Sequence, residues 1–402
     1  MNRCALVIVF ILCIFATKVG NGQTSPVIAL KDSVKIDLKQ TALAVEKLRL
    51  SKLIKQGTKL FVLTSENRKL YVIDLLKVNP DTIHAISDAR GVNKPVLNFE
   101  LSDNSVFVAD SRIDFLREYD FSGNQIGRIR SNRQLSKRFV SGRENLAYCG
   151  KRNSLFLNLD ESSPERQLDT KPELAAKYFQ RSDLIVEIDR SGKKVNYFGT
   201  FDSLYRQNFY FYGINYSFSM NESGVLVLSQ ELSADVKVYA PPYTNVKTLS
   251  FKGKFISKEE SELPITKHPY LTNEAYYHDV ISAFQYQNVN FLNNRNLCYR
   301  TYVDATSDTT LQRTYPLITH SSTTGKCKAP SLRMLDQLEI LKSKKLFVQI
   351  FDIETGFVLY DGPFVFKGKF FLPAKEASSD EFFTYDWKDG VFTLYRYKLE
   401  QE

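Results

Sequence analysis

The residues in this sequence best suited to recognition chemistry are aromatic. Tyr205-Arg206-Gln207-Asn208-Phe209-Tyr210-Phe211-Tyr212 sets rings beside an arginine and two amides, and Tyr270 and Tyr276-Tyr277-His278 repeat that composition further on. Aromatic faces next to amide and guanidinium groups stack on sugars or hold a peptide. Arg206, Tyr210, Tyr212, Tyr276, Tyr277 and His278 are therefore the candidate ligand contacts. The competing reading of the same rings is that they staple a long loop to the body of the fold.

Signals for bond-making chemistry are weaker. The four histidines, His84, His268, His278 and His320, are scattered, and no HExxH or paired-cysteine motif accompanies them, so there is no zinc signature. No GxSxG elbow occurs. Trp387 is the single tryptophan, which removes a sialidase-type Asp box. A glycosidase using two carboxylates from distant strands would leave no local motif. Calcium is the one ion the residues could hold, through Asp110, Asp160 and Glu231, each at or just past the end of an apolar run. In the plainer reading these acids terminate strands and cap backbone amides. No other cofactor is implied.

These residues hang on a repeating strand pattern. Ser105 to Arg130 reads as three short strands, with Phe121-Ser122-Gly123-Asn124 supplying the positive-φ residues of a tight hairpin. Glu118-Tyr119-Asp120-Phe121-Ser122-Gly123 is matched by Glu187-Ile188-Asp189-Arg190-Ser191-Gly192. Looser copies are Phe351-Asp352-Ile353-Glu354-Thr355-Gly356 and Tyr385-Asp386-Trp387-Lys388-Asp389-Gly390. A recurring meander of short strands is the signature of a β-propeller.

Apolar anchor strands are expected at Lys59–Thr64, Ser105–Asp110, Ser154–Leu159, Gly224–Gln230, Asn296–Tyr302 and Lys369–Ala374, each followed by a strand ending near an aspartate. That gives an all-β, six-bladed propeller with four-stranded antiparallel blades. A bare blade needs roughly 40–50 residues. The later anchors are spaced more widely, so insertions are expected at Asp160–Arg181, Thr200–Gly213, Lys252–Asp279 and Asp304–Leu341. Seven blades fail because the stretch from Lys345 to Lys369 is too short for one. Val34–Leu38 is an isolated strand suited to pairing with Val391–Tyr397 and closing the ring. Thr41–Ile54 has near-helical apolar spacing and no firm assignment. The divisions are a leader at 1–22, a strand and linker at 23–57, and the propeller at 58–402.

The leader reads as a signal peptide. Met1-Asn2-Arg3 is basic, Cys4 to Thr17 is an apolar core too short to span a membrane, and Gly20-Asn21-Gly22 offers a cleavage site before Gln23. No later stretch is apolar enough to span, so the expected location is exported, periplasmic or extracellular. Among 402 residues the net charge is +9, with a cluster at Arg128, Arg130, Arg133, Lys137, Arg138 and Arg143 in a linker between blades. That cluster is a patch for anionic groups or simply a solvated loop, and export disfavours nucleic acid. After cleavage Cys149, Cys298 and Cys327 remain, with Cys298–Cys327 the expected bridge and Cys149 a buried thiol. Asn215-Tyr216-Ser217 and Asn221-Glu222-Ser223 match glycosylation sequons.

The stretch VFVADSRIDFLREYDFSGNQIGRI resembles a blade of the NHL-type six-bladed propellers, with TolB-like blades the nearby alternative. The whole organisation, including the closing hairpin EFFTYDWKDGVFTLYRYKL, resembles the exported six-bladed propeller proteins of unknown function of Bacteroidetes. The resemblance implies architecture and no established substrate or catalytic residue. The expected role is an exported module binding a glycan, peptide or protein, and the alternative is a calcium-dependent propeller hydrolase or lactonase.

Overall fold

The computed structural model describes residues 27–37, 50–64, 69–75, 84–86, 96–110, 115–130, 146–159, 183–206, 215–259, 283–292, 296–305, 344–374, 381–388 and 391–400. The strand order sorts the strands into six four-stranded antiparallel blades. The first is β2 (Leu50–Gln56), β3 (Lys59–Thr64), β4 (Leu70–Asp74) and β5 (His84–Ile86). The second is β6 (Val96–Leu101), β7 (Ser105–Asp110), β8 (Phe115–Asp120) and β9 (Gln125–Arg130). The third is β10 (Leu146–Cys149), β11 (Ser154–Asn158), β12 (Ile185–Asp189) and β13 (Lys194–Phe198). The fourth is β14 (Tyr216–Met220), β15 (Leu226–Gln230), β16 (Asp235–Tyr239) and β17 (Val246–Ser250). The fifth is β18 (Gln285–Phe291), β19 (Leu297–Val303), β20 (Leu346–Asp352) and β21 (Val358–Pro363). The sixth joins the two ends of the chain: β22 (Phe370–Leu372), β23 (Glu381–Lys388), β24 (Val391–Glu400) and, outermost, β1 (Val27–Asp37).

The ring is a propeller, and the first strand of each blade faces the centre. β6 meets β10, β10 meets β14, β14 meets β18, and β2 meets β22. At that last junction Lys55 N donates 3.0 Å to Pro373 O, and Lys55 forms a parallel bridge with Ala374. The N-terminal strand closes the ring as expected and is longer than the sequence suggested, with Val27 opposite Glu400 and Asp37 opposite Val391.

The continuous apolar runs follow from this geometry, because each blade is covered on both faces. In β3, Leu60 and Val62 pack on the sixth blade with Leu372, Phe383 and Phe392. Phe61 and Leu63 point the other way, onto Phe99, Val106 and Val108 of the second. β7 repeats the division, with Phe107 turned toward Leu155 and Val186 of the third blade.

The repeated Asp-containing sentences are turns joining the third and fourth strands of a blade. Asp120 Oδ1 accepts from Ser122 N at 2.9 Å and Asn124 N at 2.8 Å. Asp189 Oδ1 likewise accepts from Ser191 N and Lys193 N, both at 2.9 Å. Gly123 and Gly192 supply the positive φ, 89° and 82°, that these turns need.

Three expectations are corrected. Lys369–Ala374 is the innermost strand of its blade and not the equivalent of the other five anchors; β23 holds that place. Tyr385-Asp386-Trp387-Lys388 lies inside β23, so this loosest copy is no turn of the Asp120 type. The last blade starts with its innermost strand like the others and ends one strand early, its outermost strand coming from the N-terminus. The apolar run at Lys369–Ala374 is that short innermost strand. The stretch Thr41–Ile54, left without firm assignment, ends in Leu50–Gln56, the innermost strand of the first blade, which therefore begins before Thr58. Cys149 and Cys298 are both buried free thiols. Cys298 faces Val227, Val236 and Phe351 between the fourth and fifth blades, and burial raises its pKa well above the thiol norm. Its expected partner Cys327 lies outside the described residues, as does the leader. No helix among the described residues is long and apolar enough to cross a membrane.

Candidate binding face

In an antiparallel meander the connection between the second and third strands leaves from the same end as the connection to the next blade. Every expected insertion is of one of these two kinds. The chain leaves at Leu159 and returns at Asp183, leaves at Arg206 and returns at Asn215, leaves at Glu259 and returns at Ala283, and leaves at Ala305 and returns at Lys344. All four therefore depart from one end of the ring, over the third, fourth and fifth blades. The link from β9 to β10, which carries Arg133, Lys137, Arg138 and Arg143 in sequence, departs from that end too.

The roots of these segments are braced to one another by polar side chains. Tyr216 OH lies 2.7 Å from both Leu159 O and Leu184 O and shares its one proton between them, so one hydroxyl ties the two ends of the first insertion to the strand that follows the second. Asn215 and Glu231 are doubly joined: Glu231 N donates 3.0 Å to Asn215 O, and Asn215 Nδ2 donates 2.8 Å to Glu231 Oε2. Glu231 O in turn accepts from Tyr286 N at 2.7 Å, just after the third insertion. Gln230 receives Asp202 N at 2.9 Å and donates 2.9 Å to Thr200 O, while Ser233 Oγ donates 2.6 Å to Asp202 Oδ2.

The third insertion leaves along a segment pinned by successive backbone amides. Gly253 N donates to Tyr286 OH at 3.0 Å, Lys254 N to Asp361 Oδ2 at 2.9 Å, Phe255 N to Tyr302 OH at 3.3 Å, and Ser257 N to Asp304 Oδ1 at 2.9 Å. A Cβ at Gly253 would lie 2.7 Å from the Tyr302 ring, so only glycine fits there. Beneath it Arg300 is wholly buried. Its guanidinium donates to Gln349 Oε1 at 2.8 Å, Ala234 O at 2.9 Å, and Ser233 O and Phe251 O, and it lies 3.7 Å from the centre of the Tyr286 ring. Burial lowers its pKa to about 10, which still leaves the group charged.

Two other ionisable groups at this end are displaced toward neutrality. Burial raises the Glu231 carboxyl to about 7, against the opposing hydrogen bond from Asn215. Burial lowers the Lys344 ammonium to about 8, with Asp304 opposing and Lys258 adding to the shift. Asp202 goes the other way: burial would raise it, but hydrogen bonds from Ser233 and Ser203, with Lys237 nearby, hold it below the usual range.

Of the sequence-derived contacts, Arg206 ends a short 3-10 helix, Ser203–Arg206, at this end of the ring. Tyr210, Tyr212, Tyr276, Tyr277 and His278 lie outside the described residues. The first ring of their run, Tyr205, is buried and accepts Leu232 N at 3.0 Å, the stapling role weighed for these aromatics. Of the calcium candidates, Asp110 ends β7 and Glu231 follows β15 at equivalent places of their blades, both at the insertion end. Asp160 lies outside the described residues. Among the described residues no three His, Cys, Asp or Glu side chains are grouped to hold a metal. Both sequons are built into the fold: Asn221 is buried and its Oδ1 accepts Val225 N at 2.9 Å, while Asn215 is engaged by Glu231. Sequence reasoning missed Tyr216, Gln230, Tyr286 and Arg300. Each sits inside an ordinary strand pattern, and nothing local marks its reach to a neighbouring blade.

No protein-family model matches the chain, and no curated relative does. Among solved structures it is similar to a member of the DUF4221 family from Bacteroides vulgatus, with a TM-score of 0.58 and 12% identity over 94% of this chain and 100% of that one. It is also similar to a Bacteroides fragilis protein assigned as exported, with a TM-score of 0.52 and 10% identity over 95% and 97% of the two chains. At such identities the likeness carries the fold: the chain is a six-bladed β-propeller with the architecture of these Bacteroides proteins.

Proposed function

We propose that the protein is an exported binding module whose ligand face is the insertion end over the third to fifth blades, with a glycan, peptide or protein as ligand. The observation that carries this is the cross-bracing of the insertion roots. Tyr216, Glu231 and Tyr286 fix the departure points of three segments from neighbouring blades relative to one another. A rigid ring holding the ends of variable loops is how propellers and sandwiches present recognition surfaces. The aromatic runs Tyr210, Tyr212 and Tyr276-Tyr277-His278 lie within those segments in sequence. Export rests on the signal-type leader, and the Bacteroides fragilis neighbour is consistent with it.

The test is a glycan and peptide array probed with the mature chain and with variants in which 160–182 or 260–282 is replaced by a short Gly-Ser linker. Binding that disappears in either variant while the melting temperature stays within a few degrees supports the reading. Binding that survives both replacements places the ligand elsewhere and overturns it.

A further inference from the structure

At the root of the third insertion three rings lie in a stack. Phe255 and Phe347 are 4.5 Å apart at 8°, and Phe347 and Tyr302 are 5.3 Å apart at 21°. Phe347 and Tyr302 are buried, whereas Phe255 is 38% exposed at the outer end. Packing alone does not require an open phenyl there, yet the backbone is fixed to present it. Phe255 N is held by Tyr302 OH, and its neighbours on both sides are held by Tyr286, Asp361 and Asp304.

Two lysines border the stack, beside two acids that hold backbone amides. Lys254 Nζ lies 5.8 Å from the Phe255 ring centre and Lys345 Nζ 5.5 Å from that of Phe347. Neither has a carboxylate partner among the described residues. The acids close by are already engaged. Asp361 accepts Tyr302 OH at 2.6 Å, Gln349 Nε2 at 2.8 Å and Lys254 N at 2.9 Å. Asp304 Oδ1 accepts Ala305 N at 2.7 Å, Ser257 N at 2.9 Å and Ser257 Oγ at 3.0 Å. Lys252 is matched by Glu259. One ammonium group thus lies beside the half-open Phe255 ring, whose backbone is immobilised, and a second lies beside Phe347, the ring it stacks on.

We propose that Phe255, Lys254 and Lys345 form a subsite for an acidic saccharide, one bearing carboxylate or sulfate groups. A pyranose lays its C–H face on the phenyl ring, and the two ammonium groups meet the anionic substituents. The stacked ring supplies shape at low conformational cost, since Phe347 already holds it in place. The lysines supply charge selectivity that weakens with salt. A neutral sugar would use the ring alone. A nucleic acid strand would require successive stacking platforms along a basic groove, and a single exposed ring ends this stack. The inference rests on the binding-module reading and names the ligand class for its third-insertion flank.

The experiment titrates the mature chain with an oligogalacturonate, a sulfated heparin oligosaccharide, neutral maltohexaose and a decathymidylate, at low and moderate salt. Saturable binding of an acidic saccharide that weakens with salt, with maltohexaose roughly tenfold weaker or worse, is the expected result. F255A should weaken that binding roughly tenfold, F255W should retain it, and K254A/K345A should weaken it and flatten the salt dependence. Lys254 and Lys345 are both exposed, so the double variant tests the site without disturbing the core. Absence of acidic-saccharide binding, binding unchanged in F255A and K254A/K345A, or tighter binding of the decathymidylate overturns the proposal. Should the array give another ligand whose binding is lost on replacing the insertions, this subsite falls and the module reading stands.

Discussion

The two ends of the ring are built from the same strands by different means. At the tight-turn end, connections are short and mostly self-contained, as where Asp120 and Asp189 each hold the amides of their own turn. Contacts between blades there pair charges or reach one turn away. Arg190 meets Glu118 of the preceding blade, Gln56 Nε2 donates 3.1 Å to Ser102 O, and Lys247 Nζ donates 2.9 Å to Ile353 O and 2.8 Å to Glu354 O. At the insertion end the connections are long, and strand residues reach out to brace them. One end closes the ring by local chemistry. The other holds long segments by contacts between residues far apart in sequence.

The largest expected effect comes from removing the deepest brace. Arg300→Ala empties a buried site and takes a charged donor from Gln349 Oε1 and from the carbonyls of Ser233, Ala234 and Phe251. Of these, Ala234 O keeps Phe251 N, and Phe251 O keeps Gln349 Nε2 and Tyr286 OH. A loss of about 3–5 kcal/mol is expected, read as a lower urea midpoint. A loss under about 1 kcal/mol would show that the insertion roots do not depend on it, and the contrast between the ends would collapse.

Next is Glu231. A carboxyl raised from its usual 4.5 to about 7 in the folded chain contributes no penalty below the unfolded pKa. The penalty grows as pH rises from 4.5 to about 7, where only the unfolded chain gives up the proton, and stays constant above that. Glu231→Gln should therefore leave stability unchanged at pH 4 and raise it by on the order of 2 kcal/mol at pH 8. Urea unfolding at both pH values checks this, and equal effects at the two would remove Glu231 as a titrating brace.

At the opposite end, Asp189→Ala deletes the acceptor for Ser191 N, Ser191 Oγ and Lys193 N. A loss of about 1–2 kcal/mol is expected, with the groups left exposed to water and the damage confined to one turn. Hydrogen exchange should show faster amides at 191–193 and unchanged amides in the neighbouring blades. Spread across blades would mean that this end is as interdependent as the other.

The smallest effect is expected from Lys247→Met, which removes an exposed stitch between the fourth and fifth blades. About 0.5–1 kcal/mol is lost, because water can satisfy the released carbonyls. A thermal-unfolding comparison with Arg300→Ala would put the two ends on one scale.

The sequence by itself determined the ring. Runs such as Leu60 to Leu63 are apolar at every position because both faces of a blade are covered. The Asp-Arg-Ser-Gly turn is legible because its hydrogen bonds close within five residues. The isolated N-terminal strand announced its role by lacking a local partner. The same local reading went wrong in the last blade, where a short innermost strand reads like the second one. It left Thr41–Ile54 unassigned, because apolar spacing there suits a helix as well as the inner strand Leu50–Gln56. Only the tertiary structure decided the face. Whether Tyr216 reaches Leu159 and Leu184, whether Arg300 gathers four carbonyl and amide oxygens, and whether Phe255 ends a stack with its ring open depend on the neighbouring blade. Those partners lie tens of residues away, and a side chain's spacing along its own strand carries no information about them.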